Sequence, residues 1–347
     1  MKRNEVHLIT LEGGEDSNLS AKDYEQIGVK IHVIPKNNMF MVPFQVRKMI
    51  KQIGPDVIHA HYITHYGFLA AFSGFHPAVM TAWGTDVLIE PKNSFVKAFQ
   101  VKYALKRADL LTCDGENTAQ AMIAMGQRPE KIRRIYFGVD TKRCDPALRE
   151  EKFFDDMKKD KSGKVVINIR GFGEVYDPDT FIKAIPPVLE KFPGTVFVMA
   201  RGGDRRKIYE DSVKSMGIED SVKFIGDIQF AKLPVYLASS DIYVSTSVSD
   251  SGIAASTAEA MANGLSVIST EVGDIHVWIE EGKNGFIIQK GDSKKLAENI
   301  LYLLSDDKKR LSIGKEARRT IEERQDYYKE MAKMENIYQE LAKGARK

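Results

Sequence analysis

Short apolar runs alternate along this chain with longer stretches whose apolar residues recur every three or four positions. Runs at 6–10 and 29–34 read as strands. Residues 44–53 predict a helix stopped by Gly54-Pro55, and 56–61 a further strand. The pattern then gives a helix over 66–73, a strand at 78–81, a helix over 95–108, a strand at 110–112, a helix over 119–125 and a strand at 132–136. From Asp140 to about Gly163 the sequence turns charged and the rhythm breaks, which predicts a domain boundary. It restarts with strands at 165–169, 195–200, 222–226, 242–245 and 266–269. Between and after them lie helices over 178–191, 207–216 and 233–239, one ending at Ala262, one over 294–304, and a helical C-terminus. Such alternation predicts an α/β chain of parallel sheets covered on both faces.

With 347 residues the chain is long for one core and natural for two domains. The final stretch repeats Tyr327, Met331, Met334, Tyr338 and Leu341 at helical spacing, which predicts a separate amphipathic helix packed on a core.

Charge narrows the function. A formal net charge of +3 is too weak to argue for nucleic acid, which usually shows as a concentrated basic stripe. It leaves room for a peripheral contact at the inner face of a membrane through Lys48, Lys51, Lys97, Lys102 and Lys106, although solvated helix faces are the commoner use of such residues. No apolar run approaches the ~20 residues of a membrane span, and the first ten residues lack a signal-peptide core. Cys113 and Cys144 show no metal or redox spacing, which fits a cytoplasmic location.

Ligands of doubly wound sheets sit beyond the carboxyl ends of the strands, so candidate chemistry is sought there. Ser245 to Gly264 reads as a strand, a loop of small residues (Ser251, Gly252, Ile253, Ala254) and a helix carrying Glu259. Small residues admit a ligand to the backbone, and a helix start offers N–H groups and a positive dipole end to a diphosphate. A carboxylate such as Glu259 can accept two hydrogen bonds from a vicinal diol. The alternative is a plain loop with a solvated Glu, and the two readings weigh about evenly on the residues alone. Arg170 directly follows a strand, placed to fork onto phosphate oxygens or to pair with Glu174 on the surface. A glycine turn follows Ala200-Arg201. In the first half His59, His61 and His65 cluster, but no Cys and no carboxylate other than Asp56 lies near enough to complete a zinc set. Thr81-Ala82-Trp83-Gly84-Thr85-Asp86 also follows a strand and ends in polar groups.

These stretches, in this order and over nearly the whole chain, resemble the retaining glycosyltransferases of family 4, which have the GT-B fold. The landmarks are Pro55–His61, Thr81–Asp86, Gly138-Val139-Asp140, Val222–Gly226, Glu259–Gly264 and Gly282–Phe286. The resemblance implies two Rossmann-like domains facing across a cleft: an acceptor-binding domain over 1–150 and a nucleotide-sugar-binding domain over 151–325. The last helix, 326–347, would cross back to the first domain. It implies that Glu259 holds a ribose, that Arg170 holds the diphosphate, and that Gly252, Ile253 and Ala254 meet phosphate and sugar, with Arg201 or Lys207 able to substitute for a phosphate-binding Lys that many members have and this chain lacks. Gly226 would lie near the base. His61, Trp83 and Asp86 would face the acceptor, which would be a glycan, a lipid or a small molecule. Retention would follow same-face attack, with the leaving diphosphate helping to take the acceptor proton. No metal and no cofactor is expected if Arg170 and the helix start neutralise that charge.

Departures from the family pattern are equally specific. Ser251, with Asp250 beside it, stands where many members have the first of two glutamates, which makes Asp250 and Ser251 candidates to touch the sugar. Val175 stands in place of a phosphate-binding Lys, and Trp83 in place of a cleft His. The chain is expected to begin at the family's usual second strand, leaving a first strand and helix absent and a sheet edge exposed. These departures motivate the alternative of a non-catalytic GT-B protein that binds nucleotide sugar or a partner enzyme.

Overall fold

A computed structural model of the protein describes residues 4–12, 24, 26–36, 38–158, 160–202 and 205–345. It divides into two compact units. The first comprises residues 1–113, 118–134 and 334–347, and the second residues 114–117 and 135–333.

In the first unit, β1 (Val6–Leu11) and β2 (Val29–Ile34) pair in parallel. The helix α1 (Val42–Ile53) follows, with Pro43 in its first turn and Gly54 closing it at φ 60°. Next come β3 (Ile58–His61), a π-turn over Ile63–Gly67 that runs into α2 (Phe68–Ser73), and β4 (Ala78–Thr81). Two short helical turns lead to α3 (Phe95–Arg107), β5 (Leu110–Cys113), α4 (Glu116–Ala124) and β6 (Ile132–Arg134). Strands β3-β4-β5-β6 form one parallel sheet in that order. Every residue of β4 is buried, as expected of a strand covered on both faces.

The expected helix over 66–73 begins earlier than its apolar period indicates. Asp86 accepts the Ile63 N–H at 2.6 Å, and Tyr62 takes a positive φ of 75°, so the turn winds straight off β3. Against the expectation of a missing first strand and helix, a strand, β1, does stand before residue 30, while residues 13–23 and 25, where a first helix would fall, lie outside the described residues.

In the second unit the strands are β7 (Val165–Asn168), β8 (Val196–Ala200), β9 (Val222–Gly226), β10 (Ile242–Ser245), β11 (Ser266–Thr270) and β12 (Phe286–Ile288). They are joined through α5 (Pro178–Lys191), α6 (Arg206–Ser215), α7 (Leu233–Ser239) and α8 (Ala255–Ala262). The parallel order is β12-β11-β10-β7-β8-β9. The chain winds outward from β7 through β8 and β9, then returns to β10 on the other side of β7, which puts the switch point between β7 and β10. Alternate residues of β7 feed opposite faces: Val166 packs with Phe181 and Phe197, Ile167 with Tyr243 and Val267. Residues 135–150 pack in this unit, where Val139 and Cys144 join its core beside Phe154. The charged stretch expected to mark the boundary is therefore a surface segment of the second unit.

Three helices close the chain: α9 (Ser293–Ser305), α10 (Asp307–Arg324) and α11 (Tyr327–Ala345). From Met334 onward α11 belongs to the first unit.

Candidate functional site

The switch point of the second sheet is where the chemistry collects. Asn168 ends β7 and accepts the Arg170 N–H through its side chain at 2.9 Å, turning the arginine off the strand. The guanidinium then reaches the loop after β10. Arg170 Nε donates to Ser247 Oγ at 2.9 Å, and Nη1 donates to Ser256 Oγ at 3.3 Å. Its Nη2 lies 2.8 and 3.1 Å from the two oxygens of Asp250. The Tyr176 ring lies against the guanidinium, 4.9 Å from its centroid. Glu174, the other partner considered for Arg170, pairs instead with Arg205. Burial works against the charge of Arg170, but Asp250 beside it holds its pKa above the usual value. Burial pushes the Asp250 carboxyl up, against the pull of Arg170.

The loop after β10 is fixed by close backbone approach. A Cβ on Gly252 would lie 2.8 Å from the Asp114 carbonyl oxygen, and one on Gly115 would lie 2.4 Å from the Ser251 carbonyl oxygen. Asn117 donates to the Asp250 carbonyl at 3.1 Å. Ser251 is buried and hydrogen-bonds the Asp114 carboxyl group, whose pKa is raised by burial against that bond. Ile253 and Ala254 are buried too, at 6% and 8% exposure. The carboxylate Oδ1 of Asp114 is buried with no hydrogen-bond partner.

Glu259 sits in the second turn of α8. Its Oε1 accepts from Arg143 Nη2 at 2.8 Å. Arg143 also donates to the Phe230 carbonyl at 3.1 Å and stacks on the Phe230 ring at 3.9 Å. Burial raises the Glu259 pKa, while Arg143 and then Arg201 pull it down. Arg201 adopts φ 81°, a left-handed backbone rare for a residue with a side chain, and donates its N–H to the Gly226 carbonyl at 2.6 Å. Its side chain lies close over Gly171. Arg170, Arg201, Asp250 and Glu259 thus share one neighbourhood at the carboxyl edge, with Gly226 and the 251–254 loop on its border.

In the first unit the candidate residues cluster at the carboxyl ends of β3 and β4. The ring centroids of His61 and Trp83 are 5.8 Å apart, and Trp83 is 45% exposed. Asp86 is buried, and its two oxygens accept from the backbone N–H groups of Ile63 and Trp83 at 2.6 and 3.0 Å. Burial raises its pKa to about 6. Asp86 therefore shapes the turn that presents Trp83. His59 has both ring nitrogens engaged, Nδ1 with the Tyr338 hydroxyl at 2.5 Å and Nε2 with Thr81 Oγ1 at 2.6 Å. Thr81 in turn meets Thr112 Oγ1 at 2.5 Å. Burial, followed by the neighbouring His61, lowers the His59 pKa to about 3, so the ring is neutral near pH 7.

Sequence reasoning missed Arg143, Asp114, Ser247 and Ser256 as partners in the site. Ser247 and Ser256 stood in a run of small residues and gave no individual signal. Arg143 follows the Gly138-Val139-Asp140 landmark by three positions, and that proximity was the available clue.

Comparison with known proteins gives the context. Residues 149–320 match the family described as glycosyl transferases group 1, and residues 2–115 match glycosyl transferase 4-like. A spore coat protein of Bacillus subtilis is 31% identical over 204 residues, which are 55% of this chain and 54% of that protein. The N-acetyl-alpha-D-glucosaminyl L-malate synthase of Bacillus anthracis is 23% identical over 82% of this chain and 75% of its own. The chain thus spans about half the length of the first of these relatives. Among solved structures, Anabaena HepE in complex with UDP and glucose superposes with a TM-score of 0.81. Its identity is 20%, covering 97% of this chain and all of that one. Sucrose-phosphate synthase from Thermosynechococcus elongatus gives 0.72 at 20% identity, covering 89% of this chain and 80% of its own. The fold is GT-B, and each of its two domains matches a glycosyltransferase family.

Proposed function

We propose that this chain, which joins a glycosyl transferase 4-like domain to a group 1 domain, moves a sugar from a nucleoside diphosphate to an acceptor hydroxyl with retention of configuration. The observation that carries the reading is the meeting of Arg170 and Asp250 across the β7/β10 switch point, with Glu259 in the helix that follows. Strand ends at a switch point are where parallel sheets bind ligands, and this one offers a partly buried guanidinium, a second arginine and a carboxylate.

In this reading Arg170 and the first N–H groups of α8 neutralise the diphosphate as it leaves, an electrostatic contribution that needs no metal. Arg201 adds a second cation. Glu259, oriented by Arg143, accepts the ribose hydroxyls. Asp250 and Ser251 border the sugar, and Gly226 borders the base. His61 and Trp83 serve the acceptor side, where the indole offers a face for a sugar ring and Asp86 holds the turn. The matched relatives include a synthase and a transferase of sugars in their printed names, which supports a sugar-transfer reaction of this kind.

A thermal-shift panel with UDP, GDP, ADP and their common sugar conjugates tests the donor site. A ligand at 100 times its dissociation constant stabilises the fold by about 2.7 kcal/mol. One nucleotide should stand out. If none shifts the melting, the donor reading fails. With the donor known, NMR of the product's anomeric proton decides retention, and an inverted product would overturn that part alone.

A further inference from the structure

The first unit carries an apolar surface that the transfer reading leaves unused. Five aromatic rings run in unbroken succession across α1, α2 and α3. Phe44 meets Phe72 at 5.2 Å between centroids, Phe72 meets Phe68 at 6.4 Å, Phe68 meets Tyr103 at 5.5 Å and Tyr103 meets Phe99 at 6.0 Å. The succession ends under a cation, with the Arg107 guanidinium 4.5 Å from the Tyr103 ring centroid. Burial would be the ordinary fate of so many rings, yet Phe44 is 55% and Phe99 62% exposed. One turn beyond each lie Phe40, at 88%, and Phe95, at 96%. Scattered single exposed apolar residues need no explanation, but a contiguous aromatic patch marks an interaction surface.

Charge selects the partner. The three helices carry Arg47, Lys48, Lys51, Lys97, Lys102, Lys106 and Arg107 and not one acidic residue. Among the described residues only Lys97 of these pairs with a carboxylate, that of Glu90. The whole chain has a formal charge of only +3, so the rest of it is net acidic and the positive charge is concentrated around the aromatic patch. Rings flanked by lysines and arginines suit the boundary between headgroups and acyl chains of an anionic bilayer. A second copy of this chain would set basic against basic, which disfavours self-association.

From the patch we infer that α1, α2 and α3 form a docking surface for an anionic lipid bilayer. The exposed rings enter the headgroup boundary and the basic side chains meet the lipid phosphates. The most exposed apolar residues lie at the starts of α1 and α3. Lys97 at the start of α3 pairs with Glu90, which accepts from Thr64 in the turn that leaves β3 at His61, so docking through α3 brings the candidate acceptor residues toward the bilayer. The inference stands on surface chemistry and does not depend on the donor site.

Flotation of the full-length protein with vesicles tests it. Vesicles of phosphatidylcholine plus phosphatidylglycerol should carry the protein at low salt, and vesicles of phosphatidylcholine alone should not. The Phe95→Ser/Phe99→Ser variant should partition at least roughly tenfold less, and Lys102→Glu/Lys106→Glu should lose the preference for anionic lipid. These side chains are exposed, so unchanged circular-dichroism melts will confirm that both variants fold. A protein that stays in solution with anionic vesicles overturns the inference, as does binding unaltered in both variants. Concentration-dependent dimerisation that Phe99→Ser abolishes, or capture of an acidic protein in place of vesicles, would assign the face to a protein partner and overturn it equally.

Discussion

Arg170 grips both oxygens of the Asp250 carboxylate, at 2.8 and 3.1 Å, while its Nε and Nη1 donate to Ser247 and Ser256. A diphosphate that binds Arg170 must compete with this pair. The pair is partly buried, so removing one partner leaves the other uncompensated at a cost below the ~3–5 kcal/mol of a fully buried pair. Asp250→Ala is therefore expected to melt lower than the parent protein without ligand. Nucleoside diphosphate should then raise its melting temperature by more than it raises the parent's, because the added anion supplies the missing charge. Equal ligand-induced shifts in the two proteins would show that Asp250 and the diphosphate do not share Arg170.

Arg143 acts on Glu259 through a charged hydrogen bond. It fixes Oε1 at 2.8 Å while anchored on the Phe230 ring and carbonyl. Hydrogen bonds to charged groups contribute about 1.5–3 kcal/mol, so Arg143→Ala should weaken nucleotide binding roughly tenfold by releasing the carboxylate that we propose takes the ribose. The loss should vanish in the Glu259→Ala background, as a double-mutant cycle measured by calorimetry would reveal. Additive losses would mean that the two residues serve binding separately.

The small residues of the loop after β10 are steric requirements. A methyl group at Gly252 would meet a backbone oxygen, that of Asp114, at 2.8 Å. Backbone cannot step aside as a flexible side chain can, and forcing extra volume into packed structure costs about 1–3 kcal/mol. Gly252→Ala should lower the denaturant midpoint accordingly and displace Ser251 and Asp250 from their partners, reducing nucleotide affinity as well. Full stability in urea together with full affinity would show that the loop has slack.

Much of this fold was legible because parallel strands buried on both faces announce themselves. Val165–Asn168, Val196–Ala200 and Ile242–Ser245 are apolar runs that the structure buries completely. The switch-point rule then pointed to the residues after β7 and β10, and Arg170 and Asp250 meet there. Contacts made across long sequence separations were not legible. The bond of Arg143 to Glu259 spans 116 positions and that of His59 to Tyr338 spans 279, and no local period encodes either. The unit boundary was misplaced for a related reason: a charged surface segment has the same composition as a linker. Only Val139, Cys144 and Phe154 entering the core reveal that it packs.

His59 gives the first unit a built-in acid sensitivity. Its ring is buried between Tyr338 on the last helix and Thr81 on β4, and burial with His61 nearby lowers its pKa from 6.5 to about 3. A depressed histidine pKa favours the fold wherever the unfolded ring would stay neutral. Its contribution is therefore fully present above about pH 6.5 and is lost progressively as pH falls from there toward 3. At pH 4.5 the unfolded ring is largely protonated and the folded one is not, a difference of about 2.7 kcal/mol against the fold. His59→Gln keeps a polar side chain at the site and cannot titrate. Carboxylates protonate in both proteins, so the comparison isolates the histidine. Urea unfolding at pH 7 and pH 4.5 should show the parent losing about 2.7 kcal/mol more than His59→Gln between the two conditions. Parallel losses would mean that His59 is charged in the folded protein, and that Tyr338 and Thr81 do not hold it neutral.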